Sequence, residues 1–468
     1  MASASANIKY VAAVCGLLLL AKAIYRDFFS PASKVPGLPF LTFLQARWIY
    51  NTVTGNYVRH QYAMFKRYGR IVRLTPTEIG LSDPDAIKAM LTSPKFRKTD
   101  AYANFQFHGD NIFSTQDVAL HRKLKRMIGP VFSPSSVAEV EPLVREAGVK
   151  RLAARIAEYA EAGATFNIME LFLYTSCVRC SGADPLQDVI GEVAFGGTFN
   201  TLLCKPGEKP HPVIHWINDI TYLGILLPLR LWRQFTRSVI KKRLQENSDQ
   251  ADRGEHRNGY VKDVLQRMLE SKDELTGSTF DIDELISQSI AMLVGGTDTT
   301  AVTLTWGMHL LCNNPKVARA LKEELMAAFP DPDQTILHED TKHLTYLNAT
   351  IYEILRLYTV ATGSQRVTPP EGAVICDIFI PGGYVISPIV EAVHQNTAIY
   401  GKDPRAFNPR RWIDVEPDQL FNMRQSLLSF SMGSRACIGQ KTDMTPTSLF
   451  ILKPYDEKLL VRAVSNVD

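Results

Sequence analysis

The 468-residue sequence has almost no excess of charge of either sign: 52 Lys and Arg stand against 48 Asp and Glu, a formal net charge of +4. Over this length, that is too little positive charge to recruit nucleic acid. Cysteine is scarce as well. The seven, at positions 15, 177, 180, 204, 312, 376 and 437, are odd in number and irregularly spaced. That excludes a secreted disulfide framework and points to a reducing compartment. Cys177 and Cys180 form a C-x-x-C pair, but no second pair or nearby histidine cluster completes a zinc site. The chain lacks internal repeats and low-complexity tracts, and it has a single long apolar run. With 46% apolar and 21% charged residues, it is not a disordered, collagen-like or multi-span membrane chain. Length by itself suggests about three domains.

The apolar run lies near the N-terminus. Tyr10 to Ala21 carries no charge and is bounded by Lys9, Lys22 and Arg26. Counted from Ile8 to Ile24, it reaches the low end for a membrane span, with lysines placed to snorkel. Lys22, Arg26 and Lys34 would hold the remaining chain in the cytosol, so residues 1–29 read as a single-pass anchor. Two rival readings are a cleaved signal peptide, since Ala21-Lys22-Ala23 has the A-x-A form, and a buried core helix. Residues 30–40 are rich in proline and read as a stiff hinge; residues 41–468 form the body. There, helical patterns cover Val137–Ala162, Val261–Leu275 and Asp283–Asn313. Strand patterns are fewer: 71–74, 78–81, and 377–387, where Pro-Gly-Gly reads as a hairpin turn. Asn247–Asn258 is charged and reads as an exposed loop. The expectation is one mainly α unit with a small β portion.

The strongest chemical signal is FSMGSRACIG at 430–439, with Phe430, Gly433, Arg435, Cys437 and Gly439 at F-x-x-G-x-R-x-C-x-G spacing. Such a segment suits a thiolate held under a large planar cofactor. Glycines let the backbone pass close to a flat ring and leave N–H groups facing the sulfur, while Arg435 can reach an anionic substituent. The plainer alternative is a structural cysteine in a glycine-containing loop. A second signal is VGGTDTT at 294–300, inside the longest helix. Two adjacent glycines cost a helix about 1 kcal/mol each relative to alanine. The cost is intelligible if a flat ring and a diatomic ligand must approach there; a glycine kink with threonine back-bonding is the alternative. His121 and Lys125 stand at i and i+4, on one face of a helix.

The 430–439 segment resembles the heme-binding loop of cytochrome P-450 monooxygenases, of the membrane-anchored, fungal kind. The likeness extends over nearly the whole chain after the N-terminal run. It implies an α-rich body with a β-rich subdomain behind one transmembrane helix, a heme b cofactor, and Cys437 as the axial ligand of its iron. It also implies that Thr299 and Asp298 serve proton delivery to dioxygen, and that Arg366, His121 and Lys125 hold the heme propionates. Glu353-x-x-Arg356 and, in FNPRRW, Arg411 would form the family's structural network. Expected partners are an NADPH-cytochrome P-450 reductase, and cytochrome b5, at the endoplasmic reticulum membrane, with the exposed bases Arg122, Lys123 and Arg126 as a docking face. The implied reaction inserts one oxygen atom into an apolar small molecule such as a terpenoid, polyketide or alkaloid. The alternatives are a heme-thiolate isomerase or dehydratase needing no external electrons, and a catalytically impaired heme binder. Residues 101–117, 290–297 and 360–364 would line the substrate. Two stretches depart from the family. Pro446 would break the helix expected after the cysteine loop or mark a misassembled gene model, and residues 174–192 are unusually long and polar.

Overall fold

A computed structural model describes residues 2–38, 48–52, 54–176, 226–252, 263–331, 334–441 and 460–462. Cys177, Cys180, most of 174–192 and Pro446 lie outside them. The chain divides into two compact units. The first comprises residues 1–99, 362–404 and 431–435, the second 100–361, 405–430 and 436–468.

In the first unit, helix α1 (Ala2–Ile24) is followed by a wide turn, Tyr25–Phe29, and a tight one, Pro31–Lys34. Among the described residues no helix is long and apolar enough to cross a membrane, so the expected transmembrane helix is not reproduced. Lys9 and Lys22 cut the uncharged stretch short. The described part of the proline-rich segment is packed down. Ala32 and Val35 are buried, and the Pro36 carbonyl accepts from Arg73 N at 2.8 Å. The buried Arg73 guanidinium donates to Asp27 O at 3.1 Å and lies 3.5 Å from the Asp27 carboxylate.

Helix α2 (Tyr57–Tyr68) precedes strands β1 (Ile71–Thr75) and β2 (Glu78–Leu81), the two runs legible in the sequence. Asp83 caps helix α3 (Pro84–Thr92) by accepting from Ala86 N at 3.0 Å, with proline at its first turn. Then come β3 (Arg97–Lys98), β4 (Arg366–Val367), β5 (Ala373–Ile375), β6 (Ile378–Ile380) and β7 (Val385–Pro388). Five of them form a sheet in the order β1-β2-β7-β4-β3, parallel only at β2·β7.

Pro381-Gly382-Gly383 is not the hairpin turn that its sequence suggested. The hairpin joins β5 to β6, and its turn is Cys376-Asp377, both at positive φ (49° and 67°), the pairing of signs that matches strand twist. Pro-Gly-Gly instead carries the chain from that hairpin to the larger sheet. Glycine is required at 382, where a Cβ would lie 2.4 Å from the Pro370 carbonyl oxygen.

The second unit is helical. It contains α4 (Val118–Ile128), α5 (Pro134–Val144), α6 (Lys150–Glu161), α7 (Ile168–Ser176), α8 (Leu226–Asp252), α9 (Val264–Glu270), α10 (Ile282–Asn313), α11 (Pro315–Ala328) and α12 (Thr345–Leu357). Thr165–Asn167 pairs with Leu460–Arg462 as a small separate ribbon. The helix expected over 137–162 is interrupted by a wide turn at Arg145–Val149, just after Pro142 removes a donor from the ladder. The one expected over 261–275 is confined to α9, because the chain turns at Ser271 and again at Gly277 (φ +68°). Asn247–Asp252, expected as loop, continues α8, where Gln245 bonds Asp249 at 2.7 Å. Polarity there marks a solvated helix face.

Helix α10 is the spine. A capping box starts it: Asp281 Oδ1 accepts from Glu284 N at 2.7 Å, and Glu284 Oε2 from Asp281 N at 3.0 Å. Its residues Leu285, Ile286, Ile290, Leu293 and Val294 are shared by a core cluster with α4 and α9, and Ala301 and Val302 by another with α7.

Candidate active site

The E-x-x-R pair lies on the buried side of α12. Arg356 donates to Glu353 through Nε (2.9 Å) and Nη2 (2.7 Å), and both residues are fully buried. Arg411, in the turn Pro409–Trp412, donates Nε–H to Glu353 Oε1 at 3.0 Å, and Asn408 N–H reaches the same oxygen at 3.1 Å. The structure thus brings Glu353, Arg356 and Arg411 together. It adds Trp412, which sequence reasoning passed over: its indole Nε1–H donates to Glu353 Oε2 at 2.8 Å. The tryptophan closing FNPRRW was the available signal.

From this network the structure reaches the cysteine loop in one step. Ser429 Oγ donates to Leu355 O at 2.9 Å, and the Thr359 hydroxyl lies 3.2 Å from Ser429 Oγ, two buried contacts that pin the start of the loop to α12. Neither contact has a signature in the sequence. The loop closes where Cys437 N–H donates to Phe430 O at 2.9 Å. Inside it, Gly433 has φ +76°, and a Cβ there would stand 2.6 Å from Leu91 O. Ser431 is held at φ +56°, strain of the kind functional loops store. Cys437 is a half-buried thiol in no disulfide, and half-buried Gly439 follows in the turn Ile438–Lys441.

On α10 the glycine pair lies in one of the helix's partly exposed stretches, as Leu304 and the last turns do further on. Ala291, Met292, Gly295 and Gly296 are partly exposed, whereas Thr297, Asp298 and Thr299 are buried. Thr299 Oγ1–H donates to Gly295 O at 2.7 Å. The hydroxyl proton is thereby committed to the helix, and the oxygen that remains is an acceptor. The threonine back-bond of the plainer alternative therefore exists. Thr297 Oγ1 is buried and makes no hydrogen bond among the described residues. The loop over 101–117 is fastened to the same helix, with Ser287 Oγ donating to Gly109 O (2.8 Å) and Ile112 N donating to Gln288 Oε1 (2.9 Å).

Cations gather in each unit. In the second, α4 buries His121 and half-buries Lys125, one turn apart. Two of the bases assigned to a partner face are engaged internally. Arg126 makes a two-point pair with buried Asp273 (2.8 and 3.1 Å), and Lys123 lies 3.6 Å from Glu284; Arg122 is exposed. In the first unit Arg366 is buried on β4, directly across the antiparallel pair from buried Lys98 on β3. Like charges facing each other across strands oppose pairing. Burial first, then the positive charges of Arg435 and Arg366, hold the Lys98 ammonium well below the usual lysine range. Sequence reasoning missed Lys98, because nothing in FRKTD announces which strand it faces.

The donor set fits heme. Lys98 and Arg366, both buried, and half-buried Arg435 are the cationic side chains that the carboxylates of heme would require. A free cysteine in a glycine-containing loop, and a partly exposed glycine pair on α10, are features that a flat ring with a thiolate-ligated iron would need. Comparison with known proteins agrees. Residues 35–452 match the family Cytochrome P450. Cytochrome P450 monooxygenase helB2 of Aspergillus fumigatus is 27% identical over 92% of this chain and 86% of its own length. Averantin hydroxylase of Dothistroma septosporum is 27% identical over 95% and 84%, and cytochrome P450 monooxygenase tazI of Aspergillus terreus 28% over 94% and 89%. With the cysteine loop, its buried carboxylate network and a family match over nearly its whole length, the chain belongs to the cytochrome P450 family and is a monooxygenase.

Proposed function

We propose that the protein is a membrane-associated heme-thiolate monooxygenase of fungal secondary metabolism. It inserts one atom of dioxygen into an apolar small molecule such as a terpenoid, polyketide or alkaloid. Electrons come from NADPH through a reductase, with cytochrome b5 as a second donor. The observation that carries this reading is the Cys437 turn, closed on Phe430 O and pinned through Ser429 to the Glu353 helix. That one of the relatives is by name a hydroxylase supports oxygen insertion.

Bound heme supplies the chemistry of a thiolate-ligated iron toward dioxygen. The chain's residues do the rest. Cys437 offers the sulfur, and Phe430, Gly433 and Gly439 shape its loop. Lys98, Arg366 and Arg435 would hold heme carboxylates, a role also proposed for His121 and Lys125. Thr299, its own proton given to Gly295 O, accepts a hydrogen bond from a water and holds it in place; Asp298 passes protons toward that water. Ile290, Leu293 and Val294, the buried apolar residues beside the glycine pair of α10, keep bulk water out.

Leu17 to Leu20, Ile24, Tyr25, Phe28 and Phe29 are exposed, an apolar surface at the end of α1 that suits a lipid interface. We place the protein at the endoplasmic reticulum membrane, its body cytosolic. The test begins with a spectral screen for small molecules that shift the iron from low to high spin. Any hit is then incubated under ¹⁸O₂ with NADPH and a reductase. Product carrying one ¹⁸O atom, formed only with NADPH, is the expected result. Conversion without NADPH would establish an isomerase or dehydratase instead.

A further inference from the structure

The first unit also buries a carboxylate that heme binding leaves unexplained. Glu78, on β2, accepts from three neutral donors at one oxygen, Oε1: Tyr57 Oη–H at 2.6 Å, Ser387 Oγ–H at 2.6 Å and Gln365 Nε2–H at 3.3 Å. Gln61 Nε2 donates to the Tyr57 oxygen at 2.8 Å, and Gln365 Nε2 also reaches Ser387 Oγ at 3.0 Å. A carboxylate buried among neutral partners is costly to keep. Burial raises Glu78 above the usual carboxylate range while its donors pull it back, and burial with the Glu78 charge pushes the Tyr57 phenol well above its usual value. Tyr57 therefore remains a donor across the physiological range.

Strand register shows what this cluster grips. β7 runs between β2 and β4, with Glu78 opposite Val385 and Arg366 opposite Ile386. Side chains alternate along a strand, so Glu78, Ser387 and Gln365 share one face of the sheet and Arg366 points from the other. The peptide between Gln365 and Arg366 joins the two faces: its carbonyl, Gln365 O, accepts from Arg366 Nη1 at 2.9 Å. Holding the Gln365 side chain from behind fixes the orientation of that carbonyl, and with it the guanidinium.

We propose that Glu78, acting through Tyr57, Ser387 and Gln365, is the positioning residue for Arg366, setting its guanidinium for a heme carboxylate. The inference rests on the reading of Arg366 as a carboxylate ligand. It adds a second layer to that contact, built on the opposite face of the sheet and from a different strand.

The experiment measures the rate at which heme leaves the holoenzyme for a scavenging apoprotein, with heme and with its dimethyl ester, which lacks the carboxylates. Gln365→Leu severs the link without adding charge, and Glu78→Leu removes its origin. Each should speed loss of heme by about tenfold, the scale of one charge-assisted hydrogen bond, while loss of the ester changes by less than about twofold. Arg366→Leu should speed loss of heme at least as much, and the Gln365→Leu/Arg366→Leu pair should be no faster than Arg366→Leu alone. Equal acceleration of heme and ester would mean a general loosening of the fold and overturn the proposal. So would an unchanged rate in Gln365→Leu, or effects that multiply in the pair. If Arg366→Leu itself leaves the rate unchanged, both the ligand reading and the inference fall. Should Glu78→Leu not fold, Gln365→Leu carries the test.

Discussion

Replacing Glu353 by glutamine is the sharpest perturbation of the scaffold that holds the cysteine loop. The carboxylate accepts five hydrogen bonds among the described residues: two from Arg356, and one each from Arg411, Asn408 N and Trp412. Glutamine keeps one oxygen, enough for the Oε1 side, but it turns an NH₂ toward Arg356 Nε or Trp412 Nε1, donor against donor. It also takes this counter-charge from two buried guanidinium groups. Bonds to a charged group contribute about 1.5–3 kcal/mol each and do not add. Removing one partner of a buried pair costs about 3–5 kcal/mol. The second figure governs, because the lost counter-charge dominates. It corresponds to about 10²- to 10⁴-fold in the folding equilibrium, a large share of the roughly 5–15 kcal/mol that holds a domain together. Trp412→Phe removes a single bond and should cost about 1.5–3 kcal/mol. Urea unfolding of the heme-bound proteins, followed by far-ultraviolet circular dichroism, orders the variants. A Glu353→Gln protein within about 1 kcal/mol of the parent, or more stable than Trp412→Phe, would refute the argument that this carboxylate anchors the region.

Thr299→Ala should consume NADPH within about an order of magnitude of the parent while hydrogen peroxide release rises and product falls, since a positioned proton-transfer group contributes about 10²- to 10⁴-fold to the step it serves. Measured together, unchanged product per NADPH would return Thr299 to a purely helical role. Asp273, held at a pKa of about 2 chiefly by its hydrogen bond from Arg126, stabilises the fold above the ordinary aspartate range and loses that contribution as pH falls toward 2. The stability gap between parent and Asp273→Asn should therefore be full at pH 6 and narrower at pH 3; a gap that widens on acidification contradicts the pairing. Deleting residues 1–29 should shift protein from carbonate-resistant membranes to the soluble fraction. Secretion of the full-length chain, processed after Ala23, would favour the signal peptide.

What the sequence disclosed were features fixed by spacing within one segment. The cysteine turn, the Glu353–Arg356 step along one helix and the glycine pair in the long helix are local patterns, and each has a stated geometric need. Partners distant in sequence stayed hidden. Lys98 meets Arg366 only because two short strands pair, and Ser429 meets Leu355 only because the loop folds back on α12. The Glu78 cluster assembles from four separate segments. Pro-Gly-Gly misled for a related reason: turn chemistry shows where a chain can bend, while pairing decides which strands the bend joins, and Cys376-Asp377 took the hairpin. The charged stretch at Asn247 misled because a solvated helix face and a loop share one composition.

The central claim, that Cys437 is the thiolate ligand of a bound heme, is tested most directly by the absorption spectrum of the dithionite-reduced protein under carbon monoxide. The parent should show the red-shifted band diagnostic of thiolate-bound heme, and Cys437→Ala should lack it even when its heme content, measured separately, is restored by added heme. A Cys437→Ala protein that retains the full red-shifted band would contradict the account.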